Sequence, residues 1–152
     1  MGNIRLVLIE PNEILHQASE PVTEEELKTM SFGEGLIADL IATMIHHKAA
    51  GIAAPQIGVL KRVIVAMEPN DNGLVVLINP VVLKTSKKIK TAEEGCLSCP
   101  AAGIIMVIRY DEIKIRSITL DGTTETLKYR GTMARELQHE IDHLDGKLIT
   151  DA

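Results

Sequence analysis

Thr132-Met133-Ala134-Arg135-Glu136-Leu137-Gln138-His139-Glu140-Ile141-Asp142-His143-Leu144 is a run without glycine or proline. Met133, Leu137, Ile141 and Leu144 recur at helical spacing, so the run reads as an amphipathic helix, and Gly146 suits its end. His139 and His143, one helical turn apart, then share a face and can bind one metal ion between them. Glu140, next to His139, is placed to act as a general base on a water beside that metal. The bland alternative is a surface helix that carries two histidines by accident. Apolar periodicity on both sides of the motif sets the histidine face beside the core and favours the metal.

Catalytic metals generally take three protein ligands and keep one position open. A third ligand must therefore come from elsewhere in the chain. Cys96 and Cys99 are the best candidates, because a thiolate binds zinc or iron well and both follow Glu93-Glu94-Gly95 at the end of an expected strand. Binding by both would make a closed Cys2His2 cage of structural character, whereas binding by one would leave an open catalytic site. Two cysteines this close are no disulfide framework of a secreted fold, and point to a metal or redox role.

Working outward, Gly51-Ile52-Ala53-Ala54-Pro55-Gln56-Ile57-Gly58 is a turn of small residues. Small side chains let a backbone approach a ligand closely, and the Gln56 amide could donate to a developing oxyanion. The bland alternative there is a tight helix-to-strand connection. Glu34–Lys48 is expected to be a helix with Ser31 near its N-cap, since Leu36, Ile37, Leu40, Ile41, Met44 and Ile45 keep helical spacing. Pro11–Ser19 reads as a shorter helix. Strands are expected at Val63–Met67, Leu74–Ile78, Ile104–Ile108, Ile113–Ile118 and Thr123–Tyr129, bounded by turn signals that include Asn79-Pro80 and Asp121-Gly122. The last of these suits a hairpin. Strands crowded between helices indicate one α+β domain over residues 1–152, with short, mostly antiparallel strands packed around the His-Glu-x-x-His helix.

Composition narrows the function. The chain of 152 residues has a formal charge of -5, which argues against binding that depends on neutralising phosphates. Phe32, Tyr110 and Tyr129 are its only aromatic residues and leave little to stack on bases. The basic run Lys84–Lys90 could touch an acidic surface such as a ribosome, but reads first as a solvated loop or strand edge. Leu6–Ile9 is too short for a signal-peptide core and no segment approaches the ~20 apolar residues of a membrane span. The expectation is a cytoplasmic protein with no nucleic-acid or membrane partner. His16, His46 and His47 are expected on the surface.

Three segments in this order resemble the peptide deformylases: Gly51-Ile52-Ala53-Ala54-Pro55-Gln56, Glu94-Gly95-Cys96-Leu97-Ser98-Cys99-Pro100 and Gln138-His139-Glu140-Ile141-Asp142-His143-Leu144-Asp145-Gly146. Glu20-Pro21-Val22 and Ala134-Arg135 look similar too, so the likeness covers nearly the whole chain. The resemblance implies a hydrolase that removes the N-formyl group from formyl-methionine at the start of newly made polypeptides, releasing formate. It implies Cys96, His139 and His143 as metal ligands, with Cys99 left out, because relatives carry varied and often aliphatic residues there. It further implies Fe²⁺ as the metal, with Ni²⁺, Co²⁺ or Zn²⁺ able to occupy the site. Glu140 would be the proton carrier, with Gln56 and the backbone N–H of Leu97 holding the oxyanion. Gly51, Ile52, Gly95 and Glu136 are the substrate-binding candidates.

Glu136 is set apart by its position on the same helical face as both histidines, where many relatives carry a less polar residue. Its charge is expected to pair with Arg109 or Arg135, or to stand at the mouth of the methionine pocket. Two further departures are Ala49-Ala50-Gly51 in place of Gly-x-Gly, and Ala101–Arg109, which lacks the polar or aromatic residues of many relatives. The chain reaches Ala152 soon after His143, where many bacterial relatives continue into a helix used to dock on the ribosome. The likeness is therefore to a short form, from a bacterium or from a virus acting in a bacterial host, with weak ribosome contact at most. The competing enzyme class is a zincin-type protease, which lacks its downstream ligand here. The competing non-enzyme is a zinc-stapled interaction module, which needs Cys99 on the metal.

Overall fold

The computed structural model describes residues 2–71 and 73–151. Among the described residues there are seven strands: β1 Gly51–Ala53, β2 Val63–Met67, β3 Leu74–Thr85, β4 Ile89–Glu94, β5 Ile105–Tyr110, β6 Glu112–Ile118 and β7 Thr124–Arg130. A five-stranded antiparallel sheet has the order β1-β2-β3-β6-β7, and β4 and β5 pair separately. Three α-helices accompany them: α1 Glu24–Leu27, α2 Ala38–His46 and α3 Gly131–Leu144.

The alternation of side chains across a strand explains how the helices are placed. From β1 and β2, Ile52, Val63 and Val65 face a core built with Ile37, Leu40 and Met44 of the α2 segment. Their neighbours Ala53, Ile64 and Ala66 face the opposite way, onto Met133, Ala134, Leu137, Ile141 and Leu144 of α3. Covered on both faces, β2 reads as a continuous apolar run rather than as an alternation. Leu137 and Leu144 are fully buried, each contributing about 1.5–3 kcal/mol by leaving water. A smaller cluster of Leu15, Cys99, Val107, Leu148 and Ile149 seals the β4–β5 side.

The α+β class, the α3 helix and the β6–β7 hairpin agree with the sequence expectation; Gly122 takes a left-handed φ of 86° in the hairpin turn. Other expectations are corrected. Asn79-Pro80 does not end a strand: β3 runs through it with a register shift between Ile78 and Val81. Asn79 has a left-handed φ of 52°, and its side chain accepts from Val22 N–H and donates to Val22 C=O, pinning the bulge. The basic run Lys84–Lys90 agrees with its reading as a solvated loop or strand edge, with its start in β3, its end in β4, and Lys84, Thr85, Ile89 and Lys90 all exposed. The long helix begins with a wide π-type turn over Ser31–Ile37, which contains Gly33 and Gly35. Ser31 is inside that turn rather than capping it, and donates to Thr29 Oγ1. The Pro11–Ser19 segment shortens to a 3₁₀ turn at Glu13–His16.

Candidate metal centre and catalytic cleft

The α3 helix carries its apolar stripe against the sheet, which buries the adjoining face as well: His139, Glu140 and His143 are all buried. β4 ends at Glu94, and the turn after it brings Cys96 against that face. Donor atoms of Cys96, His139 and His143 lie within 4.8 Å of one another, and Cys96 Sγ is 3.4 Å from His143 Nε2. Cys99 is outside this donor group. A thiolate and two imidazoles form a set that suits zinc or first-row transition metals.

The electrostatics fit a cation. Burial, then the charges of His139 and Arg109, pulls His143 down to about 3, so its ring is a neutral lone-pair donor. Burial pushes the Cys96 thiol up, and the Cys99 and Glu140 charges add to this, so a thiolate there calls for a positive partner. Glu140 is also driven well above the usual carboxylate range, first by burial and then by the charge and hydrogen bond of Glu136. A cation beside it works in the opposite direction.

Behind the donors lies a polar network that sequence reasoning did not anticipate. Glu94 Oε1 is 3.0 Å from His139 Nδ1, which leaves the other ring nitrogen for a metal. Arg109 donates to both oxygens of Glu94 at 3.0 and 2.9 Å, and to Asp142 at 2.5 Å. Arg135 donates to Glu94 at 2.6 Å. Burial alone would raise Glu94, but the hydrogen bonds of His139, Arg109 and Arg135 and the charge of Arg109 outweigh it, holding the carboxyl well below its usual range. Both arginines are thus committed to Glu94, and the expected pairing of either with Glu136 is absent among the described residues. Local signals for this network were slight: a Glu before Gly-Cys, and an Asp between two histidines.

A cavity of about 440 Å³ opens over the donors, lined in part by Gly51, Gln56, Gly95, Cys96, Leu97, Glu136, His139 and Glu140. Gln56 is fixed within it: its Oε1 accepts from Ala53 N–H at 2.9 Å, which turns the amide NH2 toward Ser98 Oγ, at 3.1 Å, and Cys96 Sγ, at 3.9 Å. Ser98, unremarked in the sequence, is therefore the anchor of that amide. A Cβ at Gly51 would meet Glu136 Oε1 at 2.5 Å and Glu140 Oε2 at 2.9 Å, so a larger residue there displaces both carboxylates. Ile52, by contrast, points its side chain into the core at 0% exposure, leaving only its backbone for any contact with a ligand. A larger cavity of about 560 Å³ borders Gln138, Ile141, Asp142 and Asp145, on the opposite face of α3 from the donors. His16, His46 and His47 are exposed as expected.

A His-Glu-x-x-His helix with a cysteine ligand candidate from a neighbouring turn, under an open cleft, defines a metal-dependent hydrolase. A family model described as polypeptide deformylase matches residues 4–152. Peptide deformylase 1 of Bacillus subtilis is 40% identical over 147 residues, which cover 97% of this chain and 88% of that protein. Peptide deformylase 1 of Rickettsia conorii is 38% identical over 153 residues, covering 95% and 85%. Among solved structures, the class I type b peptide deformylase of Acinetobacter baumannii superposes with a TM-score of 0.92 at 35% identity, covering 98% of this chain and 99% of that one. The same protein bound to actinonin gives 0.91 at 33% identity, with 98% and 97% covered. The chain belongs to the peptide deformylase family. It is a hydrolase that removes the N-formyl group from the formyl-methionine of new polypeptides.

Proposed function

We propose that this deformylase works with Fe²⁺ held by Cys96 Sγ, His139 and His143, and that Glu140 carries the protons. The reading rests above all on the convergence of these three donors, within 4.8 Å, beside a fully buried glutamate. When bound, the cation activates a water and polarises the formyl carbonyl. Glu140 accepts the proton of the attacking water and later gives it to the departing methionine amine, for which a carboxyl poised above its ordinary range is suited. Gln56 Nε2–H and the Leu97 N–H donate to the oxyanion that develops on the formyl oxygen. The pinned amide of Gln56 needs no rearrangement to do so. Ni²⁺, Co²⁺ or Zn²⁺ can replace iron in the same donor set.

The formyl-peptide enters as an extended strand beside β1, which is the edge of the five-stranded sheet and pairs there only with β2. The backbones of Gly51 and Ile52 line that edge, Gly95 flanks it across the cleft, and Glu136 stands at the wall where the substrate passes. No helix of the described residues is long and apolar enough to cross a membrane. The site of action is the bacterial cytoplasm, on chains leaving the ribosome, with at most weak docking through the Lys84–Lys90 edge. Formate release from a formyl-Met peptide by anaerobically prepared, Fe²⁺-loaded protein tests the reading. Turnover is expected; an inactive protein with iron fully bound would overturn it.

A further inference from the structure

Cys99 takes no part in the proposed chemistry, yet it ends the turn that begins at the metal-ligand candidate. Cys99 N–H donates to Cys96 C=O at 3.0 Å, closing a four-residue turn. Such a turn brings its end Cα atoms within about 7 Å, overlapping the roughly 4.4–6.8 Å that a disulfide spans. Cys96 also packs against the buried cluster that contains Cys99. Their exposures differ: Cys96 lines the open cleft, while Cys99 is 3% exposed among Leu15, Val107, Leu148 and Ile149. A small oxidant entering the cleft meets Cys96 first and finds Cys99 sheltered directly behind it.

We propose that Cys96 and Cys99 form a reversible oxidation site for a small peroxide, in which Cys99 converts oxidised Cys96 into an intramolecular disulfide. The Cys96 thiolate sulfur attacks one oxygen of hydrogen peroxide; an S–O bond forms, the O–O bond breaks, and the hydroxide that leaves is protonated by solvent to water. This gives a sulfenic acid. The Cys99 sulfur then attacks the Cys96 sulfur; the S–S bond forms, the S–O bond breaks, and the hydroxyl leaves with the Cys99 proton as a second water. Two thiols have been oxidised and one peroxide reduced to two waters. The disulfide removes a thiolate from the donor group, so the metal is released, and it protects Cys96 from the irreversible sulfinic and sulfonic acids. A dithiol reductant restores both. The metal-release step rests on Cys96 being a ligand; the disulfide itself does not.

The test uses zinc-loaded protein, because zinc has no redox chemistry and every electron must come from sulfur. Hydrogen peroxide is added in a small molar excess, followed by peptide mapping of residues 91–109, a chromogenic assay of released zinc, and treatment with dithiothreitol. The expected product is a peptide lighter by two hydrogen atoms and carrying both cysteines, with zinc released in step and the change reversed by the dithiol. Cys99→Val, treated alike, is expected to accumulate Cys96 bearing two or three oxygens that dithiothreitol does not remove. Wild-type protein that yields over-oxidised Cys96 beside a free Cys99 thiol, or whose thiols survive the treatment unchanged, overturns the proposal. Disulfide formed with zinc retained supports the oxidation site and takes Cys96 out of the ligand set.

Discussion

At the scale of single residues, the cleft separates groups that touch substrate from groups that hold them. Glu140 is buried with its Oε1 free of any partner among the described residues, which leaves that oxygen available for the proposed proton transfer. Glu140→Gln keeps shape and packing but cannot accept a proton; metal content is expected to be unchanged while kcat falls by about 10²–10⁴. Metal analysis beside formate-release kinetics decides this, and retained turnover would remove the general-base role. Glu136 is more particular to this chain. Its charge and hydrogen bond help to raise Glu140, and a base works only when ionised. Removing that charge in Glu136→Gln lowers Glu140, so the rising acid limb of kcat/KM is expected to move to lower pH. A limb that stays in place would make Glu136 a wall residue only. The motif residues of this site were legible in the sequence because helical spacing alone puts Glu136, His139, Glu140 and His143 on one face. Glu94 and Ser98 were not, since nothing local announces that a glutamate will meet two distant arginines or that a serine will hold an amide from another segment.

At the scale of elements, legibility followed burial pattern. α3 showed itself through a 3.6-residue period and the β6–β7 hairpin through Asp121-Gly122. The end of β4 was expected before Cys96 but its start was not, because Lys90, Thr91 and Glu93 look like a loop, and the extension of β3 past Ile78 was hidden because Asn79-Pro80 imitates a turn while forming a bulge. It is β4 that delivers Glu94 to α3, joining sheet and helix through Arg109, Arg135 and His139. The Glu94 side chain is only 6% exposed, so its loss leaves Arg109 buried without a full counter-charge. Glu94→Gln is expected to destabilise the fold by about 3–5 kcal/mol near neutral pH. The pH dependence has a definite sign. With the folded value of Glu94 below its unfolded value, near 4.5, the unfolded chain binds the extra proton in that window. The stabilisation is complete above about pH 4.5 and is lost as pH falls further, through the folded value. Urea midpoints followed from pH 7 to 3 should thus converge for wild type and Glu94→Gln; a constant gap would remove the carboxylate charge from the account.

At the scale of the whole molecule, the sheet stands between α2 and α3, and only the α3 side opens into a cleft over the donors. That cleft must admit a peptide, and it therefore admits dioxygen as well. A ferrous ion beside a thiolate is exposed to oxidation at both metal and sulfur. The donor set itself does not select among Fe²⁺, Ni²⁺ and Co²⁺, because a thiolate and two imidazoles accept all of them. Identity of the native metal is therefore read from behaviour: activity of the Fe²⁺ form is expected to decay in air over the course of an assay, while the Ni²⁺ and Co²⁺ forms persist, each prepared anaerobically at equal occupancy. Activity and metal content followed together separate loss of the ion from oxidation of the ion in place. If all three forms keep equal activity in air, iron is not the ion this site is built to use.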